Sequence, residues 1–174
     1  MVSTVLSVFV IVISLAAALF AWYQARLLER QIQLQAIMDL DREWRSSGMQ
    51  RQRASCWTKE GHADQETIEN VLEFLEKVSS FEERNIIETG LVWDTLGFYL
   101  VRYHRYCRNV IEILRNHWTL KPDATLYQDL EKLSSKLLHE EAKERHVTEE
   151  WVQSELDDEQ LRRKFIESEK ASLS

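Results

Sequence analysis

The densest set of chemistry-bearing side chains in this 174-residue chain lies between Tyr99 and Asn109, where Arg102, His104, Arg105 and Arg108 are interleaved with Tyr99, Tyr103 and Tyr106. Arginines three residues apart share a flank of a helix and offer planar forks to carboxylate or phosphate, and a histidine beside them can move a proton near neutral pH. This makes Arg102, Tyr103, His104, Arg105 and Arg108 the candidate ligand or anion contacts. A plainer reading stands beside it: Arg108 and Glu112 are an i,i+4 pair, and the other arginines can meet acids on neighbouring helices. Ion pairing is the first expectation, an anion or lipid-headgroup site the second, and no residue qualifies as catalytic.

Two further clusters carry chemistry-bearing side chains. His139-Glu140, with His146 seven residues on, has the composition of a zinc helix but not its spacing. A His-Glu-x-x-His site needs the second imidazole four residues after the first, and position 143 is Lys. A solvated charged face is expected there and no metal is implied. Arg42, Glu43, Trp44, Arg45, Arg51 and Arg53 form the third cluster. Trp44 reads as core, with the arginines paired to acids such as Glu69, Glu73 or Glu76. The chain has no glycine-rich phosphate loop, nucleophile elbow or paired-cysteine metal knuckle, and nothing implies a cofactor.

The elements that position these groups begin with an uncharged run, Met1 to Ala25, rich in Val, Leu, Ile, Ala and Phe. Val2 to Tyr23 as a helix would measure about 33 Å, enough for a hydrocarbon core of about 30 Å. A cleavable signal peptide is the alternative, because Ala16-Ala17-Ala18 offers small residues at a cleavage spacing. Against it, no Lys or Arg precedes the run, and the run continues to Trp22 and Tyr23, an interfacial ring pair. Residues 1–25 are therefore expected to be a transmembrane anchor in the lipid bilayer, with Trp22, Tyr23, Arg26 and Arg30 at the membrane interface. Arg26, Arg30, Arg42 and Arg45 follow the span and none precedes it, which places the N-terminus outside and the rest in the cytoplasm, at a bacterial inner membrane. Two cysteines, Cys56 and Cys107, fit buried thiols in a reducing compartment.

Beyond the anchor, four glycines and one proline argue for long helices with short links, an all-α bundle over 26–146 and an acidic helical extension over 147–174. Residues 1–60 hold 7 basic and 5 acidic groups, whereas 123–174 hold 8 and 14. Nucleic acid is thereby an unfavourable partner for the distal half. The anchor is expected to run on to Arg45, with Leu27, Leu34, Ile37 and Trp44 at heptad positions that serve either the domain's own packing or a homodimeric coiled coil. Ser46-Ser47-Gly48 is read as its stop. Ile68, Val71, Leu72, Leu75 and Val78 pattern a helix capped by Asp64 and broken near Ser79 to Glu83. A long central helix is expected over 89–118, its stripe running from Val92 through Leu96, Tyr103 and Cys107 to Trp118. Lys121-Pro122-Asp123 then opens a helix over 124–145. Thr148 is read as the cap of the next segment, and Asp157 with Gln160 as the capping box of a last helix anchored by Leu161 and Phe165.

Asp41-Arg42-Glu43-Trp44-Arg45-Ser46 and Val92-Trp93-Asp94-Thr95-Leu96-Gly97-Phe98-Tyr99 resemble recurring segments of an uncharacterised prokaryotic domain-of-unknown-function family of small proteins. The resemblance spans roughly residues 5 to 120. It implies one N-terminal membrane helix and a helical cytoplasmic part, and brings no activity or catalytic residues. The sequence thus points to a membrane-anchored helical module for protein interaction or scaffolding, with an unidentified protein partner. The alternative is a ligand sensor or enzyme using the Tyr/His/Arg face; a membrane-tethered stress or phage-defence component is a third, by analogy alone.

Overall fold

A computed structural model describes residues 2–57, 63–117 and 125–171, with the side chains of residues 2–10, 12, 65, 66 and 117 excepted. The described residues are helical and hold no strand; one isolated antiparallel bridge joins Trp57 to Ala63. In order, the helices are α1 (Val2–Trp44), α2 (Ser47–Ser55), α3 (Gln65–Glu83), α4 (Thr89–Val92), α5 (Phe98–Tyr106), α6 (Arg108–His117), α7 (Gln128–Glu144), α8 (Glu149–Leu156) and α9 (Glu159–Ala171). Trp118 and the Lys121-Pro122-Asp123 boundary lie outside the described residues.

The helix ends follow local chemistry. Asp64 and Thr148 cap α3 and α8 as expected, each side chain accepting from the backbone N–H three residues on. Gly48 does not end α1 in a left-handed turn. It lies within α2, whose N-cap is Ser46 accepting from the Met49 N–H. The last helix is capped by Asp158 rather than Asp157, through its bonds to the N–H groups of Gln160 and Leu161. The break expected at Ser79 to Glu83 falls later: α3 runs through it, Ser79 bonding back to the Leu75 carbonyl, and the chain turns at Asn85, whose φ is 56°. Tyr127 (φ 59°) precedes α7 without a side-chain cap of its own. Glu76, from α3, supplies the acceptors instead, at 2.7 Å from the Leu130 nitrogen and 3.3 Å from that of Asp129.

The expected single central helix is three segments joined by a π-helical turn at Trp93–Gly97 and a break at Cys107. The turn brings the Trp93 ring over Gly97, where a Cβ would come within 2.6 Å of it. Across these segments Val92, Leu96, Leu100, Tyr103 and Cys107 remain buried. They pack with Ile68, Leu72 and Leu75 of α3 and Leu130, Leu133 and Leu137 of α7 in one core. α9 closes the bundle against α2, burying Phe165 and Ile166, whereas Leu161 stays 40% exposed.

α1 enters this core only through its last third. Ile37, Leu40 and Trp44 are buried, with Gln33 above them, while Leu27 and Leu34 remain exposed. The expected stripe of Leu27, Leu34, Ile37 and Trp44 therefore divides between two faces. Among the described residues no helix is long and apolar enough to cross a membrane. The run expected to do so starts at Val2, and the side chains described along it, those of Ile11 and of Ile13 to Tyr23, are exposed throughout.

Candidate functional site

The five residues singled out between Arg102 and Arg108 face three directions. His104, Arg105 and Arg108 share a cleft of about 270 Å³ between α5–α6, α7 and α8, with Arg115, Glu131 and Gln153 across and beyond them. Arg102 turns away, stacked 3.7 Å over the Phe98 ring and reaching Glu141 at 3.5 Å. Tyr103 points into the core, so it contributes nothing to the cleft: it belongs to the apolar stripe that holds α5 against the bundle.

The cleft's cations are engaged. Arg105 holds Asp157 with both arms of its fork, Nε at 2.7 Å, and this bond keeps the Asp157 carboxyl below its ordinary range. Arg115 bridges Glu131 at 2.9 Å and donates at 2.8 Å to the Leu126 carbonyl, tying the turn before α7 to α6. The expected Arg108–Glu112 pair forms at 3.4 Å. His104 sits among these groups partly buried. Burial first, then the neighbouring guanidiniums, lower its pKa from 6.5, against an opposing pull from Glu131. A neutral imidazole walled by paired arginines can accept or donate one hydrogen bond, and an incoming carboxylate or phosphate could bond the arginines only by exchanging with Asp157 or Glu131.

The arginine cluster on α1 and α2 splits in the same way. Arg42 and Arg45 pair on the surface with Asp39 and Asp41, and Arg51 bonds the Ser47 carbonyl, none of them with Glu69, Glu73 or Glu76. Arg53 instead lies in the interior. Its guanidinium is 4.2 Å from the Trp44 ring centre and 5.4 Å from that of Tyr99, and its Nε is 3.4 Å from Glu169 of α9. The same carboxylate oxygen accepts from the Tyr103 hydroxyl at 2.8 Å. Cys56 is sealed beside them, and burial pushes its thiol up to about 12, which leaves it unreactive.

Sequence reasoning missed Arg115 and Glu169. Arg115 continues the His104, Arg108 spacing by two further turns, a signal that helical periodicity carries. Glu169 follows Phe165 by four residues, an acid on the apolar face of α9, and its partners come from distant parts of the chain. His139 lies 2.8 Å from Glu149, and His146 occupies a turn at φ 56°. Among the described residues no three or more His, Cys, Asp or Glu converge as metal ligands would.

Where α1 leaves the bundle, Trp22, Tyr23, Arg26, Arg30 and Gln33 form with Glu88 a groove of about 640 Å³. Arg26 lies 5.1 Å over the Trp22 ring. No curated protein and no solved structure matches the chain. The exposed upper part of α1, the bundle and the buried stretch of α7 as far as Leu137 are nonetheless covered together by one family, which leaves α8 and α9 beyond it: across residues 11–137 the chain belongs to the family described as Domain of unknown function, DUF4760.

Proposed function

We propose that this chain is a membrane-anchored helical module, held by α1 on the cytoplasmic side of a bacterial inner membrane, where its bundle serves protein interaction or scaffolding. The observation that carries the reading is the surface of α1. Ile11, Ile13, Leu15, Leu19, Phe20, Trp22 and Tyr23 are 57–66% exposed on a helix whose apolar sequence extends back to Val2. Leaving that much contiguous apolar side chain in water is costly, at about 25 cal/mol per Å². A bilayer removes the cost, and it would set Trp22, Tyr23, Arg26 and Arg30 at headgroup depth. The cleft of His104, Arg105 and Arg108 is the proposed recognition surface, an acidic group on a partner exchanging with Asp157 or Glu131.

Alkaline carbonate extraction of membranes from expressing cells tests the anchor, and the protein is expected to stay in the pellet. Orientation is read with Gln160→Cys, an exposed position of α9, because Cys56 and Cys107 are buried. An impermeant maleimide is expected to label that variant only after permeabilisation. Release into the supernatant would remove the anchor, and labelling of intact cells would reverse the topology.

A further inference from the structure

α1 carries two seams. Arg26, Arg30, Gln33, Ile37, Leu40 and Trp44 follow one another at spacings of 4, 3, 4, 3 and 4, and from Gln33 onward this is the face buried in the bundle. Phe20, Gln24, Leu27, Gln31, Leu34 and Met38 repeat the same spacing about a third of a turn around the helix, and all six are exposed. Leu28 and Ile32 widen this second face away from the bundle and are exposed as well.

Charge follows an unusual pattern between Tyr23 and Met38. The three charged residues there, Arg26, Glu29 and Arg30, lie toward the bundle side of the helix, and the outward side has none. A helix that met only its own domain and water would be arranged the other way round.

We propose that the outward seam is the contact for a second copy of this chain, packed in parallel from Phe20 to Met38. The orientation rests on the membrane reading above, since two anchors with the same topology can associate only in parallel. Phe20, Leu27 and Leu34 then take the d positions of a two-stranded coiled coil, with Gln24, Gln31 and Met38 at the a positions. In a parallel pair like faces like. A glutamine amide is both donor and acceptor, so Gln24 and Gln31 satisfy their own counterparts across the axis and fix the register. The uncharged seam gives a partner of opposite charge nothing to read. It ends where Asp41 takes the next d position and Gln35 and Arg42 close on Asp39 at the surface.

The test is oxidative cross-linking of the full chain in membranes, one introduced cysteine at a time, with the buried Cys56 and Cys107 left in place. Leu27→Cys and Leu34→Cys are expected to give a covalent dimer in several-fold higher yield than Glu29→Cys or Asp39→Cys. Equal yields at all four positions, no dimer at any, or an adduct of another mass would overturn the proposal. Carbonate extraction of the same membranes reads the anchor separately. Protein that is extracted yet keeps this cross-linking pattern removes the membrane reading and leaves the dimer, and resistant protein that never cross-links does the reverse.

Discussion

Partial burial, and after it the guanidiniums of Arg108, Arg115 and Arg105, lower the pKa of His104 against the pull of Glu131. Because its folded pKa lies below the unfolded value of 6.5, the unfolded chain takes up the proton first. The contribution of His104 to stability is therefore complete above that value and declines as pH falls through it toward the folded pKa. Urea midpoints taken at about pH 7.5 and 5.5 should fall further for the parent than for His104→Gln, which has no proton to gain. Inside the bundle, burial pushes the Glu169 carboxyl up while Arg53 and the Tyr103 hydroxyl draw it down. Arg53→Met or Glu169→Gln leaves one partner of a buried pair behind and should each cost about 3–5 kcal/mol. The double variant should lose distinctly less than the sum in a denaturation cycle, and additive losses would show that the two do not interact. Spacing alone made His104, Arg105 and Arg108 legible, because neighbours on one helical face stay neighbours in any bundle. It could not assign Tyr103, which belongs to the polar cluster by sequence and to the core stripe by rotation. Nor could it join Arg53 to Glu169, 116 positions away along the chain.

Helix ends were legible wherever the stabilising group is local, as with Asp64 and Thr148. Where it is not, sequence gave no warning: α7 begins under a carboxylate from α3. The broken central helix was hidden for a different reason. A π-helical turn accommodates one extra residue, and the spacings of four from Val92 to Leu96 to Leu100 read equally well as an unbroken α-helical stripe. The signal was Gly97, whose missing Cβ leaves room for the Trp93 ring, itself held by a 3.0 Å bond from its indole nitrogen to Glu144. On an exposed helix Gly→Ala gains up to about 1 kcal/mol. At this turn the added methyl must displace an indole, so Gly97→Ala should instead lower stability by about 1–3 kcal/mol, read as a fall in Tm. A rise in Tm would mean that the ring moves aside freely.

For the molecule as a whole, the all-α class followed from the scarcity of Gly and Pro, and the division of α1 between two faces did not. Periodicity found an apolar stripe from Leu27 to Trp44, but two overlapping stripes on one helix look like a single imperfect one until the position of the core is known. The region matched by the family ends at Leu137, yet its interior is completed by Phe165 and Glu169 from beyond that point. α1 runs without a Gly, a Pro or an interruption from Val2 to Trp44, a rod of about 65 Å. Nothing along it can absorb torsion. The bearing of the bundle about the rod's axis is therefore counted in residues: each residue inserted between Tyr23 and Gln33 would swing the whole bundle by about 100° and lift it by about 1.5 Å. Seven would return it to within about 20° of its starting azimuth, only higher. Along this stretch, length acts as a compass setting for the cleft between α5–α6, α7 and α8.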